Sequence, residues 1–571
     1  MLFVRKLTLL FNCLAISVAM RAAVPVAVDP VTAPHGMVVA AHPQAAAIGV
    51  EVLRRGGNAI DAAVAVSLAV GVAEPYGSGL GGKLMLLYRD ARSGRTFAVE
   101  AMDACGSAID IEGYRKLSVD AHSYGYSAVC VPGLAAGLWA AHQKWGVKKW
   151  ADDVAPASAL ARDGFEILPK TRDFFEEQEK KLHRGDGEIA RLYLVEGALP
   201  AVGTRLKNAD LAHTMELLAA RGRDGFYRGE IAEKMVAASH QGGGVLALAD
   251  LANYEARIIE PLAMDFRGYR ILSAPPPANG ASLFLPILKA LEADDFGRGP
   301  LRTAANLDRV GRVWRVVEPR ERRLIADSPQ SRLNFQTLIS PESIRAIREQ
   351  AAVRSAAPVP TGKSAVWIDD GAFYESPMAA TTQWMVVDAE GNIACCTQSL
   401  SLHFGAGVVP PGTGVVMNDS MSNFAYVDTT SLNFVAPGRR PRSTISPTIV
   451  ERDGKPLFAL GVPGAARIPT AMLQVLLDRL MFDRPLAEAI GDTRLHYVAA
   501  VKPEELDTFE AEQSLSTEVA DGLRASGWNV VLPEASGIGR HFGGVNAIEF
   551  NANRTLSGYA DPRRTNAAAG Y

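Results

Sequence analysis

The segment from Thr381 to Leu400 constrains the fold most, because it predicts an antiparallel β-hairpin. The run TTQWMVV is rich in β-branched and aromatic residues, DAEGN is typical of a turn, and IACCTQSL can form the return strand. If Val387 pairs with Ile393, Thr381 lies opposite Ser399, with Cβ atoms about 5 Å apart. Two hydroxyl groups then face each other where the strand begins, and a register slip of one residue would separate them.

The hairpin follows residues 351–380, which are rich in Ala, Pro and Ser and lack hydrophobic periodicity. This composition predicts an exposed or mobile segment. Apolar residues at helical spacing predict helices over 44–55, 206–220 and 229–239. The run DFRGYRILS, residues 265–273, predicts one strand.

Composition places the chain among ordinary globular proteins, with 48% hydrophobic and 21% charged residues. The formal net charge is −3 and no run of five like charges occurs, so we expect no nucleic-acid partner. The length of 571 residues allows two to four domains. Because the motifs described below are scattered over most of the chain, we predict one intertwined globular domain instead.

The N-terminus has the pattern of a secretory signal peptide, predicted over residues 1–23. Arg5 and Lys6 precede an apolar run from Leu7 to Met20, which contains small residues suited to a cleavage site. The run is too short to span a bilayer comfortably. The protein is therefore expected to be secreted or periplasmic, or cytoplasmic if this run is not a signal.

Cysteine usage indicates neither a disulfide framework nor a metal site. Removal of the signal leaves Cys105, Cys130, Cys395 and Cys396, without CxxC or Cys/His spacing. Buried free thiols are the expected state. We predict no metal and no other cofactor.

The glycine-rich segment from Glu74 to Tyr88 satisfies both GxGxxG and GxxxxGK, which are patterns of nucleotide-binding loops. Leu84, however, stands where the Mg²⁺-binding Ser or Thr is required. The order is also inverted, because a helix pattern precedes the glycines and a strand pattern follows them. Nucleotide binding is therefore disfavoured.

A series of motifs extends over most of the chain: GMVVAAHPQAAAIGVEVLRRGGNAIDAAVA, EPYGSGLGG, VPGLAAG, DLANYEARIIEPLAMDFRGYRILSAPPPANG, TTQWMVVDAEGN, FGAGVVPPGTGVVMND, RPRSTISPTIV, GVPGAARI and ADPRR. No single motif is decisive, but in number and order they resemble those of the γ-glutamyltransferase family of self-cleaving N-terminal-nucleophile (Ntn) amidohydrolases. The resemblance runs from about residue 36 to near the C-terminus, whereas residues 300–360 match poorly.

The resemblance implies an α+β fold, a four-layer αββα sandwich formed by two fragments of one autoprocessed precursor. The cut would fall between Ala380 and Thr381. Residues 24–380 would form the large subunit and residues 381–571 the small catalytic subunit, which together make a heterodimer.

The resemblance also implies that Thr381 both cuts the precursor and attacks the substrate. Cleavage frees an α-amine with a pKa of about 7.7–8.0, which can accept the hydroxyl proton directly or through water. Ser399 would hydrogen-bond the nucleophile. The backbone N–H groups of Gly464 and Ala465 would bind the oxyanion, although the family usually has two glycines there.

The substrate-binding positions depart from the family. Glu100 aligns near the arginine that holds a substrate carboxylate, and Asn423 replaces the aspartate that grips the α-ammonium. Ser401 and Ser420 stand where asparagine and a glutamine or glutamate are common, and Gln383 stands where a histidine often occurs. Three further residues are expected at the substrate: Arg442, as a replacement cationic contact, and the hydroxyl residues Ser443 and Thr444.

These departures leave three functions open. The first is γ-glutamyl transfer from, or hydrolysis of, a glutathione-like amide, with water or an amine as acceptor. The second is an acylase for another acid, resembling the family's glutaryl and cephalosporin acylases or oxamate amidohydrolase. The third is an inactive relative with a binding role. A serine hydrolase and a zinc hydrolase are disfavoured, because the chain lacks a GxSxG elbow and clustered metal ligands.

Overall fold

The structure is a computed structural model that describes residues 25–293, 300–353, 379–500, 505–533 and 541–571. The predicted signal peptide and nearly all of the predicted connecting segment before Thr381 lie outside the described residues. In the part of the chain that is described, no helix combines the length and apolarity needed to cross a membrane.

Two seven-stranded sheets form the centre of the molecule. The strands are β1 Val31–Ala33, β2 Met37–Ala40, β3 Lys83–Arg89, β4 Thr96–Ala101, β5 Phe165–Glu166, β6 Arg205–Leu206, β7 Arg257–Ile259, β8 Leu262–Phe266, β9 Tyr269–Ser273, β10 Ala379–Val387, β11 Ile393–Leu402, β12 Thr448–Arg452, β13 Lys455–Gly461, β14 Leu495–Val498, β15 Thr508–Ala511, β16 Asn529–Val531, β17 Asn546–Phe550, β18 Leu556–Ala560 and β19 Ala567–Gly570. The first sheet has the order β19-β2-β10-β11-β3-β4-β7 and the second β1-β18-β17-β13-β12-β9-β8.

Helices flank the sheets. They are α1 Pro43–Arg54, α2 Ala59–Ala73, α3 Ile111–Arg115, α4 Leu134–Trp145, α5 Trp150–Asp163, α6 Pro169–Glu177, α7 Glu179–Arg184, α8 Glu188–Tyr193, α9 Ala209–Arg221, α10 Asp224–Tyr227, α11 Glu230–Gln241, α12 Leu248–Asn253, α13 Gly280–Leu291, α14 Ala304–Leu324, α15 Ser331–Leu338, α16 Pro341–Ala352, α17 Arg467–Leu480, α18 Leu486–Gly491 and α19 Thr517–Ala525.

Side-chain alternation along the strands creates four layers. Trp384 and Val386 of β10 pack into the apolar cluster that contains α1, α2, α4 and α5. Their neighbours Met385 and Val387 face the other way, into a cluster shared with the second sheet, α13 and α17. Successive side chains of a strand point to opposite faces, so each sheet buries one face against the other sheet. The predicted αββα sandwich is confirmed.

The predicted hairpin is β10 and β11, and its register from Val387–Ile393 to Thr382–Gln398 is as expected. The register shifts beyond Thr382, so that Ala380 pairs with Ser401 rather than Leu400. Thr381 therefore lies in a β-bulge. A bulge re-aims a side chain, and such irregularities are common beside functional sites.

The remaining local predictions hold with one exception. Helices α1, α9 and α11 correspond to the three predicted helical segments, with bounds that differ by up to three residues. Asn58 caps α2 through a capping box. The expected single strand over residues 265–273 is wrong: Arg267 and Gly268 both have positive φ and turn the chain between β8 and β9. All four described cysteines are free and buried, as predicted.

Candidate active site

Two hydroxyl groups meet at the bulge. Thr381 and Ser399 are both buried, and their Oγ atoms lie 3.3 Å apart. The backbone N–H of Ser401 donates to Ser399 Oγ at 3.0 Å, which fixes the serine hydroxyl in place. The predicted proximity of these two side chains is therefore present, although the bulge changes the pairing that was expected to create it.

Both hydroxyls also contact the carbonyl oxygen of Ala380. Thr381 reaches back to the carbonyl of the residue before it, and Ser399 reaches the same oxygen from the neighbouring strand. A hydroxyl donor at a carbonyl oxygen makes the carbon more electrophilic. The peptide bond between Ala380 and Thr381 thus has a candidate attacking group and a candidate polarising group next to it.

A buried arginine and a buried acid contact the two residues that follow this bond. Arg564 donates to the Thr381 carbonyl oxygen at 3.1 Å. Glu74, at the end of α2, accepts from the Thr382 hydroxyl at 3.0 Å and from the Tyr76 hydroxyl at 2.6 Å. Burial raises the pKa of Glu74 to about 7, and its partners only partly oppose this.

The predicted oxyanion turn has positive φ at both of its residues. Gly464 has φ +145° and Ala465 has φ +50°, so an alanine occupies a left-handed position where glycine is preferred. Thr444 Oγ1 donates to the Ala465 carbonyl at 2.8 Å and anchors the turn. Ala465 packs against Leu402, which pairs with Ala379 beside the candidate cleavage bond.

Ser443 and Thr444 lie beside the residues that lead into α13. Ser443 forms an isolated parallel bridge with Ala278, and its carbonyl accepts from the Asn279 N–H at 2.7 Å. Thr444 also lines a cavity of about 200 Å³ with Glu321. This cavity adjoins the oxyanion turn through Thr444.

The other predicted substrate residues converge on a cation that sequence reasoning missed. Lys83, at the start of β3, is fully buried. Its ammonium contacts Ser401 Oγ and donates to Ser420 Oγ at 2.7 Å, and the two serine hydroxyls lie 2.9 Å apart. Asn423 Nδ2 approaches Ser401 Oγ at 3.4 Å. Ser401, Ser420 and Asn423 are therefore brought together.

Asp103 neutralises this lysine. Its Oδ2 lies 3.6 Å from Lys83 Nζ and accepts from Ser420 Oγ at 2.5 Å. Burial raises the pKa of Asp103 to about 6, against the opposing effect of the Lys83 charge. Ser401 holds φ +85°, a strained conformation for a serine.

Two predicted residues lie in ion pairs or backbone contacts of their own. Glu100 is fully buried and pairs with Arg440 at 2.6 Å and with Arg257 at 3.3 Å. Arg442 is buried, and its Nη1 donates to the Arg322 carbonyl at 2.6 Å. The direct substrate contacts assigned to Glu100 and Arg442 stay predictions.

Signals for the missed residues exist in the sequence. Lys83 is a charged residue at the head of the apolar run LMLLY, and Asp103 follows the apolar end of β4. A lysine or aspartate at a buried strand position is rarely unpaired. That rule points to a pair, but only the antiparallel pairing of β3 with β4 reveals which residues form it.

One further polar cluster lies apart from these residues. His142 Nε2 lies 3.2 Å from Asp153 Oδ2 and 3.7 Å from Asp61 Oδ1. Asp61 also accepts backbone N–H groups from Asn58, Val147 and Lys148. These contacts tie α2, α4 and α5 together. The expectation that the protein needs no metal stays a prediction.

Comparison with known proteins agrees with this architecture. The profile of the family described as gamma-glutamyltranspeptidase matches residues 45–571. A glutathione hydrolase proenzyme of Pseudomonas sp. strain A14 is 32% identical, with 95% of each chain covered. An acylase ACY 1 proenzyme of Pseudomonas sp. strain SE83 is 31% identical over 93% of this chain and 92% of the relative. The crystal structure of cephalosporin acylase from Bacillus halodurans superposes with a TM-score of 0.82, at 23% identity and 99% coverage of both chains.

The two packed antiparallel sheets between helical layers define an Ntn-hydrolase fold. Within that class, the chain belongs to the gamma-glutamyltranspeptidase family and is an enzyme of that family. Both glutathione hydrolases and acylases occur among its relatives. Membership of the family therefore does not determine which acyl group the substrate of this enzyme carries.

Proposed function

We propose that this protein is a self-processing amidohydrolase or acyltransferase whose nucleophile is Thr381. The observation that carries the proposal is the meeting of the Thr381 and Ser399 hydroxyls at the Ala380 carbonyl. The precursor would be cut between Ala380 and Thr381. After removal of residues 1–23, residues 24–380 and 381–571 would form the two subunits.

Processing proceeds as an N-to-O acyl shift. The Thr381 oxygen attacks the Ala380 carbonyl carbon, and the Ser399 hydroxyl stabilises the charge that develops on the carbonyl oxygen. The C–N bond then breaks, the nitrogen takes a proton, and an ester joins Ala380 to the threonine oxygen. Water hydrolyses this ester, which leaves a carboxylate on Ala380 and a free hydroxyl and amine on Thr381.

The same residue then turns over substrate. The new amine accepts the proton of the Thr381 hydroxyl, directly or through water, as that oxygen attacks an amide carbonyl. The N–H groups of Gly464 and Ala465 stabilise the oxyanion, and Arg564 orients the threonine through its carbonyl. Departure of the amine leaves a threonyl ester, which water or a second amine resolves.

Relatives suggest the substrate class. Relatives named glutathione hydrolase support a γ-glutamyl amide donor, and the relative named acylase supports an amide of a different acid. Small amides are thus the expected substrates, with a secreted or periplasmic location if residues 1–23 are a signal peptide. The buried hydroxyl pair argues for an active enzyme rather than a binding protein.

Intact-mass analysis of the purified protein tests the proposal. We expect two fragments, of which the smaller begins at Thr381 and holds the last 191 residues. Thr381→Ala should remain a single chain because it lacks the attacking oxygen. Thr381→Ser should still process, since it keeps a hydroxyl.

Two controls sharpen the result. Ser399→Ala should slow processing by ~10²-fold, the usual effect of losing one oxyanion donor. Ser526→Ala, an exposed serine near the end of α19, should process normally. An active wild-type enzyme that stays in one piece, or a Thr381→Ala variant that is cut at the same bond, would disprove the proposal.

A further inference from the structure

The buried Lys83 ammonium lies next to the proposed nucleophile. Lys83 pairs directly with Ser399 in the sheet, and Ser399 Oγ lies 3.3 Å from Thr381 Oγ1. The ammonium contacts Ser401 Oγ, and the N–H of that same serine donates to Ser399 Oγ at 3.0 Å. One serine therefore links the lysine to the serine that contacts the nucleophile.

The partners of Lys83 are residues expected to bind substrate, and Asn423 beside them replaces the aspartate expected to grip the α-ammonium of a γ-glutamyl group. The resemblance to the family assigns Ser401, Ser420 and Asn423 to substrate binding. Ser401 and Ser420 both contact the Lys83 ammonium, and Asn423 Nδ2 lies 3.4 Å from Ser401 Oγ. An internal cation thus lies close to the residue expected at a substrate's α-ammonium group.

We propose that the Lys83–Asp103 pair takes the place of a substrate's α-ammonium group, so that the enzyme acts on amides of acids that carry no such group. This inference rests on the proposed function, because it assumes that Thr381 is the nucleophile. The donor class is an amide of a carboxylic acid, such as a dicarboxylic acid, without an amino group at the far end.

Hydrogen bonding in the cluster explains why a second cation is excluded. Asp103 Oδ2 already accepts from Ser420 Oγ and faces Lys83, and its Oδ1 accepts from the Gly133 N–H at 3.3 Å. Asn423 presents an amide N–H₂ toward Ser401 rather than a carboxylate. An incoming ammonium would meet a like charge, and like charges in contact disfavour binding by about 10²-fold or more.

The charges of Lys83 and Asp103 also compensate each other inside the protein. Lys83 and Asp103 are both fully buried, and a buried charge without its partner is costly. Lys83 heads β3, and Asp103 lies two residues beyond the end of the paired strand β4. Asp103 therefore stabilises the Lys83 ammonium in its buried position.

Two anilide donors provide a matched comparison. Glutaryl-p-nitroanilide and γ-glutamyl-p-nitroanilide differ only by the α-ammonium group of the second. Mature wild-type enzyme, with cleavage confirmed by mass, should hydrolyse the glutaryl donor with a kcat/KM at least ~10²-fold higher. An equal rate, or a preference for the γ-glutamyl donor, would overturn the inference.

Variants at the pair separate specificity from structure. Lys83→Ala leaves the Asp103 carboxylate facing a space that an ammonium can fill, so the donor ratio should shift toward γ-glutamyl by ~10-fold or more. The double variant Lys83→Ala/Asp103→Ala removes both charges and should gain no γ-glutamyl activity. A Lys83→Ala variant with the wild-type ratio would contradict a role in specificity.

Failure of the inference and failure of the proposed function give different results. A processed enzyme that prefers γ-glutamyl donors, or that cleaves neither donor, disproves the donor class while leaving Thr381 as the cleavage site. An enzyme that never processes disproves the nucleophile. If Lys83→Ala does not fold, the donor ratio of the wild-type enzyme alone still decides the question.

Discussion

At the scale of single residues, the site depends on groups that are charged or strained inside the protein. Glu74 and Arg564 are both buried beside the candidate nucleophile, and Ala465 adopts φ +50° in the oxyanion turn. Each of these conditions is unfavourable in isolation. Their grouping around one peptide bond is typical of a functional site rather than of a structural core.

The buried Glu74 carboxyl leads to a prediction about how the stability of the protein depends on pH. Its pKa is raised from 4.5 to about 7 by burial, so the folded protein binds this proton more tightly than the unfolded chain. The contribution to stability is complete below pH 4.5 and is lost as pH rises through about 7. Since one pKa unit corresponds to ~1.4 kcal/mol, the loss is on the order of 3 kcal/mol.

Chemical unfolding of Glu74→Gln, in the uncut Thr381→Ala background, measures this effect. Because glutamine does not titrate, the parent should lose stability relative to the glutamine variant between pH 4.5 and 7. Glu260→Gln, which removes an exposed carboxylate, serves as the control. If the free energies of unfolding of the Glu74 variant and its parent change in parallel with pH, this carboxyl does not titrate as expected.

At the scale of elements, the glycine-rich loop before β3 packs closely against the hairpin of β10 and β11. A Cβ atom at Gly82 would lie 2.3 Å from the backbone oxygen of Ser399. Gly82, which belongs to the nucleotide-binding pattern in the sequence, therefore serves close backbone packing. Its partner becomes visible only when β3 pairs with β11.

Gly82→Ala should consequently impair processing. The new methyl group must push β11 away from the loop, which moves Ser399 from the Ala380 carbonyl, and we expect the processing rate to fall by ~10²-fold, as for loss of the Ser399 donor itself. Gly79→Ala in the same loop is the matched control, because its Cβ would only reach an ordinary contact at 3.7 Å from Gly71 O. A time course of chain cleavage on a denaturing gel compares the two, and equal rates would refute this role for Gly82.

At the scale of the whole molecule, much of the hairpin register could be predicted because hydrophobic alternation and turn composition are local signals, whereas the sandwich was predicted from the resemblance to a known family. Neither the bulge at Thr381 nor the Lys83–Asp103 pair was predicted from the sequence. The bulge depends on how Ala380 meets Ser401, and the Lys83–Asp103 pair depends on how β3 pairs with β4. The serines around the pair come from segments far from it in the chain. Local patterns specify which face of a strand is buried, but not which distant side chains meet there.

The position of the predicted cut leads to an expectation about assembly. The bond between Ala380 and Thr381 lies near the beginning of β10, whereas the pairing of β10 with β2 runs over Met385–Val387 at its far end. Strand β11 also pairs with β3 along Ile393–Ser399. Cleavage would therefore leave β10 and β11 of the small fragment between β2 and β3 of the large one.

We accordingly expect the two fragments to stay together after cleavage. They should elute as one species in size-exclusion chromatography without denaturant, and separate only when the shared sheet unfolds in guanidinium chloride. The uncut Thr381→Ala chain provides the reference elution volume. Because the cut removes no paired strand, the processed protein should match that volume. Elution of the small fragment alone under native conditions would mean that the shared sheet does not hold the subunits together.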